Sequence, residues 1–180
     1  MSHYESSPGG AAGGAALPSA AKPMLYLVCG KAGSGKSTLA RNLADKHESI
    51  LIDEDDWLAR LYRDQIHDLA DYVRCTGMLR DVLGDHLVVL LKRGVSVVLD
   101  FPANTLAFRQ WAKGIFDKAG VAHELHYLEV PDATCKARLR ERNASGCHPF
   151  TVSEEAFDAI TRYFVPPAPE EGFNTFLHRE

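Results

Sequence analysis

The stretch that most narrows what this chain can become begins at residue 30: Gly-Lys-Ala-Gly-Ser-Gly-Lys-Ser-Thr. It sets three glycines into six positions, then a lysine and two hydroxyls. Glycine loses more backbone freedom on folding than any other residue, so such a cluster marks conformations that other residues avoid. Before it, Met-Leu-Tyr-Leu-Val-Cys reads as a buried strand; after it, Leu39 and Leu43 recur at helical spacing from Lys36 to about His47. A loop of the form G-x-x-x-x-G-K-[ST] between strand and helix turns successive N–H groups inward around phosphate oxygens. The helix that follows aims its unpaired N–H groups and positive dipole end at the same anion. The expected cradle is Gly30, Lys31, Ala32, Gly33, Ser34, Gly35, Lys36, Ser37 and Thr38. Lys36 brings a point charge to the β- and γ-phosphates and Ser37 a hydroxyl ligand for Mg²⁺, while the Lys31 side chain is expected in solvent. The implied ligand is a nucleoside triphosphate with Mg²⁺.

Beyond the loop, strand and helix signals alternate. Ser-Ile-Leu-Ile-Asp is a second strand, and Asp-Asp-Trp-Leu starts a helix. Leu69, Tyr72, Val73, Leu79, Val82, Leu83, Leu87 and Leu90 trace a long amphipathic helix that stops at Gly94. Val-Ser-Val-Val-Leu-Asp is a continuous apolar strand of the kind a parallel sheet buries on both faces. Asn104 or Thr105 can cap a helix that carries Phe108, Trp111, Ala112, Ile115 and Ala119 and closes at Gly120. A fourth strand spans residues 123–130, a helix runs from Asp132 to about Asn143, and residues 143–150 form a loop. Thr151 with Glu154 has the capping-box pattern for a helix ending near Val165, and Thr-Phe-Leu-His-Arg-Glu is a last strand. The class is α/β with a mainly parallel sheet. Residues 1–22, rich in Gly, Ala, Ser and Pro, read as a flexible tail without the basic and apolar regions of a signal peptide, which leaves 23–180 as one domain.

Composition closes off other classes. Of the 180 residues 46% are hydrophobic and 24% charged, the profile of a globular chain, and the net charge of −4 counts against a general nucleic-acid binder. Cys29, Cys75, Cys135 and Cys147 show no C-x-x-C pairing and read as free thiols of a reducing, cytoplasmic setting. No run is apolar enough to span a membrane, and nothing points to a protein partner. His-Glu-Leu-His at 123–126 has one residue too few for a zinc-protease motif, and on a strand its two histidines face opposite sides.

The second strand ends in Asp-Glu-Asp-Asp. Ligands of an open parallel sheet sit beyond the carboxyl ends of its strands, so a carboxylate here stands where an attacking hydroxyl needs a proton acceptor. Arg138 and Arg142 lie one turn apart on a helix, with Arg140 pointing elsewhere.

Together these segments resemble the small P-loop kinases, a group including polynucleotide 5′-kinases, gluconate and shikimate kinases, chloramphenicol phosphotransferase and the zeta toxins. The resemblance runs over about residues 24 to 176 and rests on IDEDD, VVLDFPANTLAFRQWA, KARLRERN and PPAPEEGF. It implies a three-layer P-loop NTPase fold, a sheet of about five strands with helices on both faces, and a small lid at about 143–153. The family's D-x-D pattern falls on Asp53 and Asp55, which makes Asp55 the base and lets Asp53 hold Mg²⁺ through water. Asp56 is the rival base, also suited to cap the next helix. Asp100 stands where a Walker-B-like carboxylate would, and Arg142, with Arg138 one turn earlier, is the expected lid arginine over the triphosphate. Phe173 is assigned to the adenine edge. Polynucleotide kinases of the group carry an arginine where this chain has Leu58. With Trp57, that implies a more apolar acceptor pocket and a small molecule rather than nucleic acid, unless Arg60 or Arg63 substitutes. The leading expectation is an ATP- and Mg²⁺-dependent kinase with a small-molecule hydroxyl acceptor and Lys36, Asp55 and Arg142 as catalytic residues. The alternatives are a nucleotide-switched ATPase or binding module, and a zeta-toxin-like nucleotide-sugar kinase.

Overall fold

The computed structural model describes residues 22–146 and 150–180. Five strands, β1 (Met24–Cys29), β2 (Ile50–Asp53), β3 (Val97–Pro102), β4 (Ala122–Glu129) and β5 (Thr175–Arg179), form one sheet in the order β2-β3-β1-β4-β5. Every pairing is parallel. The helices are α1 (Lys36–Lys46), α2 (Glu54–Leu61), α3 (Leu69–Lys92), α4 (Leu106–Ala119), α5 (Asp132–Ser145) and α6 (Glu154–Thr161), with a single 3₁₀ turn at Pro169–Glu171. The α/β reading therefore holds, with a sheet that is wholly parallel among the described residues. No helix of those residues is long and apolar enough to cross a membrane.

Alternation along each strand divides the core. Leu25, Leu27, Val97, Leu99 and Phe101 face α3 and α4, whereas Tyr26, Val28 and Val98 meet Ala40, Leu43 and Ala44 of α1. At the β1–β3 pairing the register slips between Leu27 and Val28, so that Val28 opposes Pro102. The slip lies at the end of β1 that leads into the glycine loop.

One buried face and three helix boundaries differ from the sequence reading. On α3 the buried row is Cys75, Leu79, Leu83, Leu87 and Leu91, while Leu69, Val73 and Val82 are exposed, Val82 at 78%. Apolar residues occupy most of this helix's circumference, so periodicity alone does not choose a face. The approach of α4 does, since a Cβ on Gly84 would stand 3.2 Å from Trp111 Nε1. Helix α5 runs through Asn143–Ser145, placed in a loop by the sequence reading, and ends at Gly146 with φ 64°. Of the expected lid, Cys147–Pro149 lie outside the described residues. Ser153, not Thr151, caps α6, its hydroxyl accepting from the Ala156 N–H at 3.2 Å. The helix stops at Thr161 because the chain leaves to place the Val165 N–H on the Asn104 carbonyl at 2.9 Å. At α4 the open choice of cap resolves to Thr105, which accepts from the Phe108 N–H.

Candidate active site

The glycine loop leaves β1 at the carboxyl edge of the sheet. Gly33 has φ 76°, and a Cβ there would fall 2.5 Å from the Cys135 carbonyl oxygen, so this glycine lets α5 press against the loop. Gly30 is hemmed in likewise, its missing Cβ 2.6 Å from Ser34 Oγ. Lys36 folds back over the loop and donates to the carbonyls of Gly30 at 2.8 Å and Lys31 at 2.9 Å. Burial pulls its ammonium below the usual lysine range, opposed by the nearby Asp100, Cys29 and Asp55. Ser34 Oγ is buried without a hydrogen-bond partner among the described residues.

The expected carboxylates meet at the ends of β2 and β3. Asp53 and Asp100 are register partners across the two strands. Asp100 is 7% exposed and accepts from the Ser37 hydroxyl, and burial raises its carboxyl above the usual aspartate range. This places it on the first turn of α1 rather than in a cap of the turn into Pro102. Asp53 caps α2, accepting from the Asp56 N–H at 3.1 Å, with Arg41 at 3.7 Å. The cap therefore belongs to Asp53 and not to Asp56, whose carboxylate pairs with Arg60 at 2.9 Å on the surface. Asp55, in the first turn of α2, exerts its charge on Lys36, Asp100 and Arg142 together. Ser37, Asp100 and Asp53 suit Mg²⁺, which favours hard oxygens and completes its shell with water and phosphate. Among the described residues no three or more His, Cys, Asp or Glu side chains form a ready-made cation cage.

The arginines of α5 separate as their spacing implies. Burial lowers the Arg142 guanidinium below the usual arginine range, opposed by the charge of Asp55, and its Nε is buried without a partner among the described residues. Arg138 reaches back to the Ser34 carbonyl at 3.5 Å and pairs with Glu180. Arg140 turns away to Glu154 at 2.7 Å. Lys31 departs from expectation: it pairs with Asp132 and lies over the Phe164 ring, 5.9 Å from its centroid. Phe173 also departs. It packs edge-on against Phe116 and His123 at the start of β4, the end of the sheet away from the loop, so it cannot line a nucleotide bound there. Leu58 is fully buried in the core and shapes no pocket surface.

Three groups near the site escaped the sequence reading. Glu54 is only 3% exposed, accepts from the Tyr72 hydroxyl at 2.8 Å, and burial pushes its carboxyl up to about 7. Tyr72 meets Phe150 edge-on, and Arg80 lies over the Phe108 ring. The surroundings of Asp55 are thus more polar than Trp57 and Leu58 suggested. Arg109 is wholly buried and holds Glu171 through two hydrogen bonds, at 2.6 and 2.9 Å, and the carbonyls of Ala103 and Val165, both at 2.9 Å. Asn104 grips Gly30 by both main-chain groups: its Oδ1 accepts from the N–H and its Nδ2 donates to the carbonyl, each at 2.9 Å. A helix-start asparagine and a mid-helix arginine carry no local mark of such roles; only the Asp-Glu-Asp-Asp run hinted at Glu54.

A family profile described as an AAA domain matches residues 25–167, through the loop, both carboxylate strands and α5. The chain belongs to this AAA domain family. No curated protein matches it in sequence. Among solved structures, this AAA-domain chain is similar to a candidate kinase from Chloroflexus aurantiacus, with TM-score 0.71 and 18% identity over 88% of this chain and 85% of that one. A sugar kinase from Janibacter sp. HTCC2649 gives 0.60 and 17% over 87% and 85%. The APS kinase of Mycobacterium tuberculosis, in complex with AMPPNP and APS, gives 0.57 and 21% over 88% of each chain. At these identities the likeness is one of fold: the AAA-domain chain has the architecture of the P-loop kinases.

Proposed function

We propose that the protein transfers the γ-phosphoryl group of ATP to a hydroxyl of a small molecule. One observation carries the reading: a carboxylate beyond β2, Asp55, shares its field with the loop lysine and with Arg142, an arginine whose Nε is buried and unpaired among the described residues. A group of that kind costs stability unless something arrives to satisfy it, and a transferring phosphoryl group is such an acceptor.

In this reading the main-chain N–H groups of residues 30–38 and Lys36 hold the polyphosphate, while Arg138 and the cleft beside it receive the nucleoside. That cleft, about 190 Å³, is bounded by Ser34, Leu128, Val130, Arg138 and His178. Ser37 and Asp100 would hold Mg²⁺ directly and Asp53 through water; the ion, when bound, supplies positive charge to the phosphate oxygens. Asp55 takes the proton of the acceptor hydroxyl as its oxygen forms the new bond to phosphorus. Arg142 neutralises the equatorial oxygens, and ADP leaves with the electrons of the broken P–O bond. Asp56, engaged with Arg60, is the poorer base. The polar group of Glu54, Tyr72 and Arg80 beside Asp55 supports a small hydroxylated acceptor. The test is a panel of metabolites and antibiotics incubated with ATP and Mg²⁺ and scored by mass spectrometry for an added phosphoryl group. ATP hydrolysis at a rate indifferent to every alcohol offered would replace this reading with that of an ATPase.

A further inference from the structure

The Gly30 carbonyl accepts two hydrogen bonds, from Lys36 Nζ at 2.8 Å and from Asn104 Nδ2 at 2.9 Å. Lys36 also holds the Lys31 carbonyl, so its ammonium is spent on main-chain oxygens where a β- or γ-phosphate would need it. To meet an anion the lysine must let go, and a part-buried carbonyl left without a donor costs free energy. Asn104 prevents that loss at Gly30.

Its side chain is suited to the task because its orientation is fixed. Oδ1 faces two donors, the Gly30 N–H at 2.9 Å and the Cys29 thiol at 3.6 Å, and Nδ2 faces an acceptor; a flipped amide would set donor against donor. The backbone beneath is anchored on both sides. The Ala103 N–H donates to Val28 at 3.0 Å, and the Asn104 carbonyl accepts from Val165 at 2.9 Å. Arg109 Nη1 bridges the carbonyls of Ala103 and Val165, and its other nitrogens hold Glu171. The clamp therefore extends from a buried guanidinium to the first glycine of the loop.

We infer that Asn104 is a positioning residue for nucleotide binding, keeping the Gly30 peptide paired and in place while Lys36 exchanges main-chain carbonyls for phosphate. The inference rests on the nucleotide reading of the loop and is tested apart from it by calorimetric titration of ATP and of ADP, with Mg²⁺, into wild type, Asn104→Ala, Asn104→Asp and Thr105→Ala. Thr105→Ala removes the adjacent helix cap, whose hydroxyl accepts from the Phe108 N–H within α4, and serves as the control for a purely structural loss. Asn104→Ala should weaken both nucleotides about tenfold, the worth of one hydrogen bond to an otherwise bare carbonyl. Asn104→Asp keeps the acceptor for the Gly30 N–H, loses the donor, and should weaken binding at least as much. It is the variant to read if the alanine protein does not fold. Thr105→Ala should lower the melting temperature with affinities within twofold of wild type. If wild type takes up neither nucleotide, the nucleotide reading falls; if wild type binds and the Asn104 variants bind equally well, the clamp is refuted. Affinity lost to the same degree in Thr105→Ala also overturns it, since general loosening would then account for the effect.

Discussion

On the β1 side of the site the chain presents main-chain groups: the loop peptides, the first turn of α1 and the Gly30 carbonyl, tied down by Asn104 and the Arg109–Glu171 pair. On the β2 side it presents side chains, with Asp55 and a buried Glu54 on α2 and Tyr72 and Arg80 on α3. In the proposed reaction this difference follows from what each side must bind. A polyphosphate is one anion shared by very many proteins, and peptide N–H groups at a helix start recognise it whatever the surrounding sequence. An acceptor is particular to its enzyme, and only side chains can be exchanged to fit it. The two sides meet at Asp55, whose charge is felt by both Lys36 and Arg142.

If the halves are separable in this way, Asp55→Asn should cut phosphoryl transfer about a thousandfold, within the range for losing a general base. ATP affinity, followed by calorimetry, should stay within a few-fold. Comparable transfer by the variant would move the base elsewhere.

The next largest effect belongs to the anchor on the β1 side. Arg109→Met strands Glu171 and should lower stability in urea denaturation by about 3 kcal/mol, as for a buried ion pair that loses one partner. Adding Glu171→Gln should restore part of that loss. A single variant as stable as wild type would show that the loop is held by other means.

The β2 side offers a test by pH, on protein free of nucleotide and metal. The Glu54 carboxyl is raised from 4.5 to about 7 by burial, so between those values the folded state keeps a proton that the unfolded chain has released. Stability should therefore fall as pH rises from about 4.5 to 7 and level off above, by about 3 kcal/mol if this group acts alone. In Glu54→Gln that slope should flatten. An unchanged profile would remove Glu54 from the account. Smallest of all, Arg60→Ala breaks an exposed pair with Asp56 and should shift stability by no more than about 0.5 kcal/mol, leaving both nucleotide affinity and transfer unaltered. A large loss of transfer would revive Arg60 as an acceptor-binding residue.

Legible from the chain alone is whatever neighbouring residues settle between them. The glycines, Lys36 and Ser37 lie within one loop, and alternating apolar runs yield the parallel sheet whose carboxyl edge collects Asp53, Asp55 and Asp100. Tertiary structure alone decided which face of α3 is buried, that Phe164 rather than Phe173 lies near the loop, and that Leu58 belongs to the core. It also made the links of Asn104 to Gly30, 74 residues apart, and of Arg109 to Glu171, 62 apart. The physical reason is reach: caps, turns and periodicity are fixed by groups a few bonds away. The partner of a buried amide or guanidinium is fixed by whichever distant strand or loop the packed core sets beside it.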